Sequence, residues 1–174
     1  APLGYGADEK WTPARVLAEH SKGTAYARLI KDNPRYPILL DESNQVMALI
    51  PIINSESTKV SKNTKNFFID VTGLEERIVN KTLNTIATSM LELDRGASLE
   101  TVSIQYFGTK LMVTPDLTPQ QAVLSPATAA SRIGVPLDRD GVVECLRRMG
   151  HRVSDHANGQ LAVEVPAYRN DILH

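Results

Sequence analysis

A single cysteine, Cys145, among 174 residues excludes an internal disulfide and any cysteine-based metal cluster, and it fits a reducing compartment. No stretch approaches the ~18 consecutive apolar residues that a membrane span requires. The opening APLGYGADEK lacks the apolar centre of a secretion signal, which also discounts the glycosylation sequon at Asn80-Lys81-Thr82. Neither sign of charge is in excess. The formal net charge is -1, so bulk attraction to a polyanion is excluded, and any nucleic-acid contact has to come from a local patch. The four histidines, His20, His151, His156 and His174, share no metal-ligand spacing and read as structural or exposed. A Ser-His-Asp order, a Gly-rich phosphate loop and a CxxC pair are missing, as are internal repeats and low-complexity tracts. The chain has no initiator Met and stops abruptly after DILH, so it is expected to be a piece of something longer.

What remains is a composition able to bury a core, 42% hydrophobic and 22% charged, in one or two domains. Thr12-Pro13 reads as an N-cap followed by proline at the first helical position, with Val16 and Leu17 on the helix behind it. Gly23 ends or restarts that helix, and Ala25 to Ile30 is a second helical candidate. Tyr36–Asp41 and Val46–Ile53 are strands joined by the polar turn Glu42–Gln45, and their near-continuous apolarity predicts burial on both faces. A further strand is expected over Asn66–Val71. Thr72 to Glu75 has the spacing of a capping box ahead of a long helix to Leu93. On that helix Val79, Leu83, Ile86, Met90 and Leu93 form one apolar stripe. Leu99–Phe107 and Lys110–Val113 are strands meeting at Gly108-Thr109.

These elements make an α/β domain, layered sheets with one long helix, over residues 1–113. The two prolines of Thr114–Pro119 mark a linker over 114–119. A small α+β domain is expected over 120–174, truncated at its C-terminus. Ala122–Ser125 reads as a short strand and Pro126–Ile133 as a helix. Asp138 or Asp140 caps a further helix that ends at Gly150, with Cys145 expected as a packed core thiol. Asn158-Gly159 is the strongest hairpin signal in the chain, joining His151–Asp155 to Leu161–Val165.

Candidate chemistry concentrates between Pro51 and Gly73, PIINSESTKVSKNTKNFFIDVTG, where two apolar runs flank a polar, cationic loop. Asp70 and Thr72 stand two apart, the spacing that puts both on one face of a strand. A carboxylate there can orient water or accept from an ammonium, and a hydroxyl can bond a reacting ester or its oxyanion. Equally, Thr72 is a helix cap and Asp70 the partner of a lysine. Asn54, Ser55 and the rest of the loop to Thr58 offer donors and acceptors to a ligand, or form a solvated loop. Lys59, Lys62 and Lys65 can steer a phosphate backbone, or simply make a solvated face.

Residues 36–73, YPILLDESNQVMALIPIINSESTKVSKNTKNFFIDVTG, resemble the editing module of the beta subunit of archaeal/eukaryotic-type phenylalanyl-tRNA synthetase. That family's pattern runs roughly YPVI-D, then PPIIN-S/G, then N-T-x-x-[IL]-F-I-[DE]-x-T-G. The tail agrees independently. LRRMG at Leu146–Gly150 and LAVEVPAYRNDILH at Leu161–His174 resemble the small domain after the editing module, with its V-P-x-x-R-x-D-I-x-H signature. The resemblance covers roughly residues 30 to 174. It implies an editing domain of the B3/B4 type followed by a B5-type domain.

The resemblance further implies an (αβ)2 heterotetramer in the cytoplasm that joins phenylalanine to tRNA(Phe) with ATP and magnesium. Its aminoacylation site lies in the alpha subunit, and no cofactor is expected to bind this piece tightly. The beta-subunit module hydrolyses tRNA mischarged with tyrosine. The physical need is plain: a mostly apolar pocket rejects an added hydroxyl by only ~100-fold. By the same resemblance the editing pocket is lined at Leu39, Ala48, Asp70 and Thr72; Asp70 and Thr72 are expected to serve catalysis, and Asn54 and Ser55 of the polar loop are expected to bind substrate. Ala48 departs from the family, where many relatives carry serine, as do Gln45 and Ile50 from a common glycine and proline. Asp171 matches the first member of a magnesium-binding acidic set, which is incomplete here because a hard cation needs several oxygen ligands. The rival expectation is a structural, RNA-positioning module of the same subunit without editing activity.

Overall fold

A computed structural model describes residues 1–172; the expectation for His174 lies outside them. The chain divides into two compact units, Ala1–Phe68 and the stretch from Ile69 onward, and each is described by itself. The 114–119 segment thus lies within the second unit.

In the first unit, helix α1 (Pro13–Glu19) begins where the sequence indicates, with the Thr12 hydroxyl accepting from Arg15 N at 3.2 Å. Helix α2 (Ser21–Tyr26) follows at once, capped by His20, whose Nδ1 accepts from Lys22 N at 3.1 Å. Gly23 therefore lies inside a helix and does not end one. A Cβ there would stand 1.8 Å from Val16 O, so only glycine lets the two short helices approach this closely. A 3-10 turn, Ala27–Leu29, completes the helical part.

Strands β1 (Ile38–Leu40), β2 (Val46–Leu49) and β3 (Ile53–Asn54) form an antiparallel sheet in the order β1-β2-β3. The β1–β2 hairpin turns on Asp41, whose Oδ1 accepts from Ser43 N and Gln45 N, and on Asn44 at φ 60. The strand expected over Val46–Ile53 breaks at Ile50-Pro51, because proline has no N–H to give the ladder. Ile52 N then turns back to Leu49 O. Burial on both faces is not found either, since Ile38, Leu40 and Val46 are exposed. The core is Val16, Leu17, Ile30, Leu49, Ile52 and Ile53, with Leu3, Trp11 and Ala27 packed against it.

Lys59 to Glu75 contains no helix or strand. The strand expected over Asn66–Val71 does not form, because no neighbour pairs with its backbone, and a ladder needs two members. Helix α3 (Glu76–Leu93) has Glu75 at its N-cap position, with no side-chain cap bond. The capping box is thus not made: Thr72 lies too far ahead of the first turn. The buried positions of α3 are Asn84 and Ala87, while Ile86, Met90 and Leu93 of the expected stripe are exposed. Asn84 Nδ2 donates to Asp116 O at 2.8 Å and reaches Ala167 O at 3.5 Å. Asn84 is thus held on the packed face by its side-chain amide rather than by apolar contact.

Strands β4 (Val102–Gln105) and β5 (Leu111–Thr114) pair antiparallel around Gly108, at φ 91. The rest follows local signals closely. Strand β6 (Gln120–Leu124) precedes helix α4 (Pro126–Ile133), which is capped by Ser125. Helix α5 (Arg139–Arg148) is capped by Asp138, whose Oδ1 accepts from Gly141 N at 2.8 Å. Strands β7 (Arg152–Asp155) and β8 (Leu161–Val165) join through Asn158 and Gly159, both at positive φ, as the Asn-Gly pair demands. The sheet order is β6-β8-β7. Central β8 buries Leu161, Val163 and Val165 against Val142 and Val143 of α5. Cys145 is exposed, contrary to expectation, because Val142 and Val143 already face the sheet and Cys145 falls outside that stripe.

Candidate functional site

The sheet of the first unit brings three of the expected pocket residues into one row. Leu39 pairs with Ala48 across β1–β2, and Ala48 pairs with Asn54 across β2–β3. Directly opposed residues of antiparallel strands carry their side chains on the same face. The row therefore reads Leu39, Ala48, Asn54: half-buried, buried and exposed. It holds an apolar side chain, a methyl and an amide, and at Ala48 it has no hydroxyl. The register of β1–β2 shifts just after Leu39, a bulge that breaks the regular alternation beyond that position.

The loop after the row is neither solvated throughout nor open to a ligand throughout. Ser55 is only 6% exposed. Its hydroxyl donates to Ala1 O at 3.2 Å and accepts from Ser57 Oγ at 2.8 Å, while Ser55 N donates to Met47 O at 2.8 Å. Ser55 is thus spent on the protein's own backbone. Thr58 Oγ1 lies 3.3 Å from both Met47 O and Ser55 O. Glu56, read in the sequence only as part of a ligand-facing or solvated loop, instead accepts at Oε2 from Gly4 N at 2.7 Å and at Oε1 from Lys59 Nζ at 3.0 Å. No local motif announces that contact, since the partners stand 52 residues apart.

Of the three lysines, Lys59 is tied to Glu56. Among the described residues, Lys62 and Lys65 have no carboxylate partner. Lys62 lies in a turn closed by Ser61 and Thr64, in which Ser61 N donates to Thr64 Oγ1 at 2.9 Å.

Asp70 and Thr72 belong to the second unit, in the irregular segment before α3. Asp70 keeps part of its surface open, yet neighbouring atoms withdraw enough water to push its carboxyl above the ordinary value of 3.8. Among the described residues it has no cationic partner, so the lysine pairing weighed from the sequence is not made. Thr72 is exposed and caps nothing.

Asp171 stands elsewhere in that unit. Its two oxygens accept from Arg169 Nε at 2.8 Å and Nη2 at 2.7 Å, a bidentate pair that lowers its pKa to about 2. Among the described residues no group of three or more His, Cys, Asp or Glu side chains could hold a metal ion. The residues present therefore do not fit a magnesium site, and Asp171 is already neutralised by an arginine. Among the described residues no helix is long and apolar enough to cross a membrane.

Comparison with known proteins accounts for this arrangement. Residues 20–101 match the B3/4 domain and residues 122–174 the tRNA synthetase B5 domain. The phenylalanine–tRNA ligase beta subunit of Methanococcus maripaludis (strain S2) is 40% identical over 172 residues, covering 99% of this chain and 29% of the relative. That of Pyrococcus furiosus is 39% identical over 174 residues, covering 99% of this chain and 30% of the relative. An N-terminal fragment of the phenylalanyl-tRNA synthetase beta subunit from Pyrococcus horikoshii, solved by crystallography, superposes with a TM-score of 0.91 at 38% identity. That match covers 100% of this chain and 49% of the fragment. The chain thus spans about 30% of the length of these curated relatives. With both domains in order and this similarity running end to end, the chain belongs to the phenylalanine–tRNA ligase beta-subunit family.

Proposed function

We propose that this chain is the editing and B5 portion of a phenylalanine–tRNA ligase beta subunit, and that its B3/4 part hydrolyses Tyr-tRNA(Phe). The observation that carries the reading is chemical availability. Ser55, Glu56 and Asp171 are spent on internal bonds, whereas among the described residues no side-chain hydrogen bond engages Asp70 or Thr72. Taken by itself, the Leu39–Ala48–Asn54 row of the first unit is a mostly apolar surface with one amide, a chemistry that suits an aromatic side chain. In the reaction, water attacks the ester carbonyl carbon, the acyl–oxygen bond breaks, and the ribose oxygen leaves with a proton. Tyrosine and free tRNA result. Thr72 places the water or bonds the oxyanion, and Asp70 accepts from the substrate ammonium or the tyrosyl hydroxyl.

In the whole enzyme, phenylalanine, ATP and magnesium serve aminoacylation in an alpha subunit, within a cytoplasmic (αβ)2 assembly that binds tRNA(Phe). The chain alone is expected not to aminoacylate, and formation of Phe-tRNA by it would overturn the domain reading. Lys62 and Lys65 are better candidates than Lys59 for RNA phosphates. The second reading, an RNA-positioning module without editing, draws on the missing hydroxyl at Ala48. Deacylation of Tyr-tRNA by the full heterotetramer, with Asp70→Ala and Thr72→Val variants, separates the two. Unchanged rates in folded variants would sink the assignment.

A further inference from the structure

We infer that Glu56 is a positioning residue that fixes the Asn54–Lys59 loop of the proposed editing site by clamping the first four residues of the chain onto it. The inference rests on the editing reading above. Residues 1–4 lie as a strap along the loop. Pro2 and Ser55 form an antiparallel bridge. Leu3 N donates to Asn54 O at 2.9 Å, and Glu56 N donates to Ala1 O at 3.0 Å. Leu3 also packs on the core beneath. Asn54, the polar end of the pocket row, is therefore held from two sides, by Ala48 through the sheet and by Leu3 through the strap.

Glu56 is the one side chain of Asn54–Lys59 that reaches both the strap and the far end of the loop. One carboxylate oxygen takes Gly4 N at 2.7 Å and the other takes Lys59 Nζ at 3.0 Å. Both partners stabilise the ionised form and hold the Glu56 carboxyl below its ordinary value. Backbone bonds hold Ala1 and Leu3 to the loop, and the end of the strap at Gly4 N is met by a side-chain acceptor. Glu56 closes it with a charge-assisted bond, stronger than a neutral one. A pocket wall displaced by about 1 Å can cost on the order of 100-fold in rate, so a loop lock matters even though Glu56 touches no substrate.

The experiment uses the complete beta subunit assembled with its alpha subunit, as wild type, Glu56→Ala and Glu56→Gln. Glutamine keeps an oxygen for Gly4 N but loses the charge opposite Lys59; alanine loses both. Amide exchange at Gly4 and at 54–58 reads the clamp without reference to activity. Steady-state deacylation of Tyr-tRNA reads its consequence, and aminoacylation reports intact assembly. Glu56→Ala is expected to speed exchange at these amides and to lower the deacylation kcat by roughly tenfold, with KM and aminoacylation little changed. Glu56→Gln is expected to restore protection and most of kcat. The proposal is overturned by unchanged exchange in Glu56→Ala, by faster exchange with unchanged kcat, or by Glu56→Gln behaving as alanine does. A wild-type enzyme that does not deacylate Tyr-tRNA overturns the editing reading, while the exchange arm still decides the clamp on its own.

Discussion

Two polar stretches of this chain use their side chains in opposite ways. From Ser55 to Lys59, hydroxyls and carboxylate are consumed by nearby backbone and by the strap at residues 1–4. From Asp70 to Thr72, the same chemical types stand without such partners, and Asp70 keeps a raised pKa. Composition does not distinguish them, since both are short runs of hydroxyls and acids beside apolar residues. The difference shows that a polar residue in a loop is a candidate for chemistry only after its internal obligations are counted. Buried donors and acceptors are satisfied first, and what is left over can serve a ligand.

The largest expected effect tests the unspent pair. Asp70→Ala or Thr72→Val should lower Tyr-tRNA deacylation by on the order of 100-fold, with the thermal midpoint almost unmoved. A large loss of stability instead would move these residues into the other class. Ser55→Ala should do the reverse. Losing a buried hydrogen-bonding hydroxyl costs about 1 kcal/mol, measured as a lower urea midpoint, while deacylation per folded molecule changes little. Ala48→Ser restores a hydroxyl to the row and is expected to change deacylation by no more than about fivefold, since a single added polar contact is worth only ~1 kcal/mol. Activity that appears only in the A48S variant would favour the module without native editing.

The smallest effects are in pH dependence, where the two aspartates run in opposite directions. Asp171 has a depressed folded pKa, about 2 against an ordinary 3.8. The stability it contributes is present above 3.8 and is lost as pH falls through about 2. Asp70 has a raised folded pKa, so its folded form holds the proton more tightly than the unfolded chain does. Its contribution favours the fold at low pH and declines as pH rises from 3.8 through the raised value. Urea titrations of Asp70→Asn and Asp171→Asn should each remove one of these slopes. An unchanged slope for Asp171→Asn would mean the Arg169 pair does not persist in solution.

Much of the second unit was legible because its signals are local. The helix from Pro126 and a helix capped by Asp138 or Asp140 are both marked in the sequence, the structure choosing Asp138, and Asn158-Gly159 turns the β7–β8 hairpin at positive φ. Each is decided within four or five residues by hydrogen bonding and backbone sterics. The strands at 66–71 and 50–52 were misread for the complementary reason. Apolar runs suggest strands, but Asn66–Val71 has no ladder partner, which the run does not record, and at Pro51 the missing N–H overrides the apolarity on either side.

The sequence by itself determined the family resemblance, the α1 cap and the pairing of β1 with β2 and β7 with β8, since these depend on residues close along the chain. Only the tertiary structure decided that Leu39, Ala48 and Asn54 share a row and that Glu56 and Ser55 answer to residues 1–4. It also decided that Asn84 and Ala87 are the buried positions of α3, while Ile86, Met90 and Leu93 of the apolar stripe stay exposed. Those outcomes turn on carbonyls and amides brought together from distant positions, whose demand for partners no local pattern records.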